Sequence, residues 1–137
     1  MATATTVIFP WRAEYSVGIP QIDAQHQGLV KLINDLHAAM TAGKGREAIA
    51  SIIDQLIRYT ESHFASEEAM LRQRGYSKLA GHQEVHKHLT KQVYELRDKF
   101  SAAKLSITIE VMHFLKSWLA DHIMVHDQAY ARELGSR

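Results

Sequence analysis

Apolar side chains return every three or four residues along most of this chain, and four stretches keep the pattern long enough to specify amphipathic helices. In the first, Leu29, Val30, Ile33, Leu36 and Met40 make one stripe that also carries His26. Asp23 is its expected N-cap, and Thr41-Ala-Gly-Lys-Gly45 breaks it. The second runs through Ile49, Ile52, Ile53, Leu56, Tyr59, His63, Glu67, Met70 and Leu71, and stops at Arg74-Gly75-Tyr76-Ser77. The third presents Leu79, His82, His86, Leu89, Val93, Leu96 and Phe100 as a nearly unbroken seam. The fourth follows a link near Ser101–Ser106 that holds neither Gly nor Pro, and carries Val111, Leu115, Trp118, Leu119, His122 and Ile123. The predicted helices therefore span about 22–41, 46–73, 78–101 and 107–131. Residues 1–19, with Pro10 and Gly18 inside and Pro20 just beyond, read as an extended arm anchored by Trp11 and Tyr15. No strand-type alternation and no internal repeat interrupts this order. Four long segments with short links predict an all-α fold, an up-down-up-down antiparallel four-helix bundle with an N-terminal arm.

At 137 residues the chain is expected to form one domain with a real core. Sixteen basic and 15 acidic side chains leave a net charge of +1, so neither a nucleic acid nor an anionic membrane is an expected partner. Met1 to Thr6 lack the charged and apolar regions of a secretory signal, and no apolar run approaches a membrane span. A soluble, cytoplasmic protein is the expectation. One compositional feature changes the picture: nine histidines and no cysteine. Thiol catalysis, thiolate metal sites and disulfides are excluded, and any metal must be one that accepts imidazole and carboxylate, meaning iron, copper, zinc or manganese.

Placement separates a metal site from scattered surface histidines. His82 and His86 are four residues apart, as are His63 and Glu67, so each pair shares a helix face. His26 and the His122-Ile-Met-Val-His126-Asp127 run supply further donors. At about 1.5 Å of rise per residue their levels can be compared across the turns. His26 lies 17 residues before residue 43 and His63 lies 20 after it, while His86 lies 18 before residue 104 and His122 lies 18 after it. All of them can meet in one layer. His88, about 200° round from His86, and His113, roughly opposite His122, should point outwards. His37 is eleven residues from His26, about 16 Å along the axis, and so is peripheral. A lone histidine on an apolar stripe is ordinarily core packing, but several imidazoles and carboxylates buried at one level need a cation, because unpaired buried polar groups cost several kcal/mol each. On the fourth predicted helix, His126 is the i+4 partner of His122, whereas Asp127 at i+5 is turned about 140° away on an ideal helix. Pattern favours His126, and geometry alone leaves the choice open.

His26, His63-x3-Glu67, His82-x3-His86 and His122-x4-Asp127, in that order and spacing, resemble the hemerythrin signature. Trp11 and the Val17-Gly-Ile-Pro-Gln-Ile-Asp-Ala-Gln-His26 run look like the single-domain bacterial form of the family, and the resemblance covers nearly the whole chain. It implies a non-haem di-iron centre with His82, His86 and His122 on one iron and His26 and His63 on the other. Glu67 and Asp127 would bridge the two irons, together with an oxo or hydroxo group, which makes Asp127 the ligand and His126 a bystander. Leu29, Phe64, Trp118, Leu119 and Ile123 match the family's oxygen pocket; their plainer role is core packing, and the two are compatible.

On that ligand count one iron is saturated and the other keeps one open position, the arrangement of a reactive metal site. Reversible dioxygen binding for transport, storage or delivery is the expected function, with dioxygen as ligand, an oxygen-using enzyme as candidate partner, and no enzymatic turnover. The alternatives are a di-iron oxidase or peroxidase, and an oxygen or redox sensor acting through a separate partner. Oxygen-activating bundles of the ferritin-like type use Glu-x-x-His motifs and more carboxylates, whereas five neutral imidazoles favour the ferrous state.

Overall fold

Each helix of the computed structural model, which describes residues 7–103 and 106–135, starts and stops for a local reason. Met1 to Thr6 of the predicted arm and Lys104 and Leu105 of the predicted third link lie outside the described residues. Helix α1 spans Pro20–Thr41. It begins with proline at its first turn, where the ring presets φ and the missing N–H would have had no helical partner. Asp23 is therefore inside the helix and not its N-cap, contrary to the sequence expectation. Its carboxylate instead accepts from the Val17 N–H at 2.8 Å and from the Ser16 hydroxyl, tying the arm to the helix. Helix α2 spans Arg46–Gln73 and α3 spans Leu79–Ser101. Helix α4, Ile109–Asp121, is capped by the Thr108 side chain, passes through a π turn at His122–Asp127, and continues as α5, Gln128–Gly135. The fourth rod thus begins two residues later than the sequence suggests and reaches beyond residue 131.

Gly43 (φ +67°) and Gly75 (φ +69°) end α1 and α2 in the left-handed conformation, with Lys44 N–H returning to Ala39 O and Tyr76 N–H to Leu71 O, both at 3.0 Å. After α3 the same left-handed place is taken by Ala103 (φ +58°), whose N–H returns to Phe100 O.

The arm is not extended throughout: a 3₁₀ turn at Ala13–Tyr15 folds it back. Phe9 is fully buried, and both its backbone groups bond the Asn34 side chain at 2.9 Å. Tyr15 is buried between Phe9 and Trp11, with ring centroids 5.9 and 5.4 Å away. Helix α1 packs on α2 and α4, and α2 packs on α3, closing a four-helix bundle. The apolar core falls into two clusters, a large one around Leu29, Ile33, Leu56, Val93 and Leu115, and a small one made by Val17, Ile22, Leu71, Tyr76 and Tyr130. Between them lies a buried polar layer: Phe64 of the large cluster stacks on His86, while Tyr76 and Tyr130 of the small one meet His82 edge-on. Among the described residues no helix is long and apolar enough to cross a membrane.

An L-residue in the left-handed region pays a steric cost that glycine avoids. Ala103→Gly is therefore expected to stabilise the chain by about 0.5–1 kcal/mol, read as a higher urea midpoint; an unchanged or lower midpoint contradicts this account of the third turn.

Candidate metal centre

The polar layer is built from one side chain of α1, two each of α2 and α3, and two from the π turn. His26, His63, Glu67, His82, His86, His122 and Asp127 are all buried, and Glu67 and Asp127 are fully so. They form two sets whose donor atoms could each hold a metal ion: Glu67, His82, His86, His122 and Asp127 in one, and His26, His63 and Glu67 in the other. The two carboxylates divide their oxygens between the sets. Glu67 Oε1 lies 2.7 Å from His82 Nε2 and 3.0 Å from His86 Nε2, while Asp127 Oδ1 lies 3.2 Å from His82 Nε2 and 3.1 Å from His122 Nε2. The opposite oxygens face the other way. Glu67 Oε2 is 3.6 Å from His26 Nε2 and 3.4 Å from His63 Nε2, and Asp127 Oδ2 is 3.1 Å from His26 Nε2. Five imidazoles thus present the same nitrogen to the same two carboxylates.

The π turn is what admits Asp127. In it the Gln128 N–H bonds to Ile123 O, five residues back, so one extra residue is taken up per turn. That winding brings the i+5 side chain back beneath His122, where an α-helix would have put His126. His126 is displaced to a half-buried position with its ring 5.5 Å from that of His122, and belongs to neither donor set. His88 and His113 are exposed, and His37 is half-buried and outside both sets.

The remaining ring nitrogens show how the site is held. His63 Nδ1 donates to Gln25 Oε1 at 2.6 Å and His86 Nδ1 to Glu68 Oε2 at 2.7 Å, so each Nε2 is free to point inward. Tyr130 donates its hydroxyl to Glu67 Oε2 at 3.0 Å. None of Gln25, Glu68 and Tyr130 stands out in the sequence. The available signal was adjacency, since Gln25 precedes His26 and Glu68 follows Glu67. Phe64 lies face to face on His86, its centroid 3.8 Å away and the planes 4° apart. Leu29, Trp118, Leu119 and Ile123 are likewise buried in the large cluster, and the Trp118 indole donates to Leu89 O at 3.2 Å.

Charge gives the fit test for a metal. Burial alone would discharge these groups. His26 and His82 are nevertheless raised to about 9, because the close approach of the Asp127 and Glu67 carboxylates outweighs desolvation. Burial prevails at His63, lowered to about 4 in spite of Glu67. Burial pushes Glu67 up, but the hydrogen bond with His82 and the nearby His26 and His86 imidazoles hold it well below the usual carboxylate range. Asp127 is pushed up by burial and by Glu67, and is nonetheless held low by His122 and His26. The carboxylates thus demand cations, and in this layer only protons on the imidazoles supply them. Even so, Nε2 of His26, His63, His86 and His122 and both oxygens of Asp127 are buried without a hydrogen-bond partner. Orphaned donors of borderline and hard character, converging in two sets, fit a pair of imidazole- and carboxylate-binding ions.

Known proteins similar to this chain in sequence and fold are hemerythrins. The family described as "Hemerythrin HHE cation binding domain" matches residues 17–134. The bacteriohemerythrin of Stenotrophomonas maltophilia is 39% identical over 124 residues, 90% of this chain and 80% of that protein. The myohemerythrin of Theromyzon tessulatum is 25% identical over 126 residues, 92% of this chain and 93% of its own. A crystal structure of wild-type hemerythrin superposes with a TM-score of 0.83 at 32% identity, covering 93% of this chain and 98% of that one.

Two outcomes are expected. His26 and His82 are raised from 6.5 to about 9, so their contribution is complete below pH 6.5 and is lost towards 9; His63 is lowered to about 4, so its contribution is lost as pH falls from 6.5 to 4. The melting temperature of the metal-free chain should therefore peak near pH 6.5 and fall on both sides, and a flat profile up to pH 9 contradicts the charge balance. In metal-binding assays Asp127→Ala should shed metal while His126→Ala keeps it; the reverse would assign the donor to His126.

Proposed function

The chain belongs to the hemerythrin family, and from that premise we propose that it binds dioxygen reversibly at a non-haem di-iron centre, as a carrier, store or donor of the gas. On this reading His82, His86 and His122 would hold one iron and His26 and His63 the other, with Glu67 and Asp127, and an oxygen from solvent, serving both. The observation that carries it is the division of the two carboxylates: Glu67 turns one oxygen to His82 and His86 and the other to His26 and His63, and Asp127 turns one to His82 and His122 and the other to His26. When bound, the iron pair would supply two electrons and a place for a small ligand, on the side where fewer imidazoles are available to hold it.

The chain's own residues do the rest. Gln25 and Glu68 keep the proton of His63 and His86 on Nδ1, which leaves Nε2 as the donor to metal. Tyr130, whose pKa burial and the Glu67 charge push well above the usual phenol range, stays protonated and fixes the Glu67 carboxylate. Leu29, Phe64, Trp118, Leu119 and Ile123 are all buried in the large apolar cluster, and on this reading they wall the gas site. Such a wall keeps water and protons from the gas, so that it leaves unreduced. Five neutral donors against two anionic ones favour the ferrous state, which is why carriage is proposed here and turnover is not. Dioxygen is the ligand, and an oxygen-using enzyme is the natural recipient where the role is delivery.

Anaerobic loading should give two irons per chain. Cycles of oxygenation and deoxygenation should then bind and release one dioxygen per pair, with a visible charge-transfer band that appears and vanishes. A single iron per chain, or steady dioxygen consumption in the presence of a reductant, would overturn the proposal.

A further inference from the structure

The two halves of the centre differ in what stands behind their imidazoles. In the three-imidazole half, the Nδ1–H of His86 donates to a carboxylate, Glu68 Oε2, at 2.7 Å. In the two-imidazole half, the Nδ1–H of His63 donates to a neutral amide, Gln25 Oε1, at 2.6 Å. The amide's other end contacts Ser66 Oγ at 3.2 Å, so Gln25 is anchored at both ends. The remaining imidazole of that half, His26, has Nδ1 buried with no partner, as does His122 across the site. The Nδ1 bonds of His63 and His86, one from α1 and one from α2, thus carry different charge.

A carboxylate that accepts from an imidazole N–H raises the basicity of the opposite nitrogen more than a neutral acceptor of the same geometry does. We propose that Gln25 and Glu68 are positioning residues that make the two metal positions electronically unequal. Glu68 strengthens His86 as a donor in the three-imidazole half, and Gln25 keeps His63 a weaker donor in the two-imidazole half, where the open position lies. The weaker donor keeps that position ferrous and ready for ligand, while the stronger one anchors its neighbour. This inference rests on the reading that these imidazoles hold iron. It goes beyond that reading in assigning opposite effects to two residues that sit alike in the structure.

Both side chains are half-exposed, and Glu68 keeps 25% of its side chain in solvent, so isosteric exchange of acid and amide leaves packing intact at either place. The experiment measures ferrous affinity by chelator competition in the unsubstituted chain, Gln25→Glu, Glu68→Gln and Glu68→Asp, with helicity checked by circular dichroism. Outer partners of metal-binding histidines are typically worth 10–100-fold in affinity. Glu68→Gln should weaken iron binding about tenfold, and Gln25→Glu should strengthen it by a similar factor. At a fixed potential the ferrous-to-ferric ratio should rise about tenfold in the first and fall about tenfold in the second, roughly 59 mV in opposite directions for a one-electron couple. Glu68→Asp, which keeps the charge, should stay closer to the unsubstituted chain than Glu68→Gln does. Equal weakening in Gln25→Glu and Glu68→Gln overturns the proposal, because a purely structural role predicts loss from either exchange. So does no change in either, or an equal fall in Glu68→Asp and Glu68→Gln. An unsubstituted chain that fails to take up two irons would instead defeat the functional reading, which separates the two failures.

Discussion

Two carboxylates with no access to solvent are the constraint from which the rest of this structure follows. An isolated charge in a protein interior is prohibitively costly, so Glu67 and Asp127 persist only because five imidazoles are aimed at them. Those imidazoles come from every rod of the bundle, and the layer they form divides the apolar core into two clusters. The helices must therefore hold their relative heights to within about a turn. Their ends are correspondingly explicit: proline at the start of α1, left-handed residues after α1, α2 and α3, and a threonine cap on α4. Without metal, protons on His26 and His82 supply the missing charge; a pair of metal ions would supply it better and would satisfy the nitrogens and oxygens that remain orphaned.

The same constraint accounts for the least regular stretch of the fourth rod. A π turn gives up regular hydrogen bonding and is uncommon outside functional sites. Here it exchanges an imidazole for a carboxylate beneath His122, and with it places a second anion between the two donor sets. A rod of uniform α-helix would have presented His126 and left Glu67 as the single acid shared between the sets. The arrangement reads as two candidate cation positions, one richer in imidazole than the other, with Phe64 of the apolar core stacked on His86.

Much of this was legible in the chain because it depends on period and level. The four apolar stripes, the glycine breaks, and the alignment of His26, His63, Glu67, His82, His86 and His122 all follow from about 3.6 residues per turn and a fixed rise. The π turn could not be read that way, since the argument presumes the winding that the turn violates; only the family resemblance pointed to Asp127. Asp23 was misplaced because a good capping residue stood three positions inside a helix that proline had already begun. The 3₁₀ turn of the arm depends on Phe9, Trp11 and Tyr15 packing on the bundle, a tertiary effect with no local signature. Gln25 and Glu68 escaped notice because an amide or acid on a half-exposed helix face looks like ordinary solvated surface. Their role appears only when the neighbouring helix brings an imidazole to them.

The central claim is that one carboxylate pair is shared between two unequal metal positions. Diffraction from iron-loaded crystals, with anomalous data collected at the iron edge, tests it most directly. The account predicts two iron peaks within each chain, one among His82, His86 and His122 and the other beside His26 and His63, with Glu67 and Asp127 between them. A single peak, or an iron bound by His126 in place of Asp127, would contradict it.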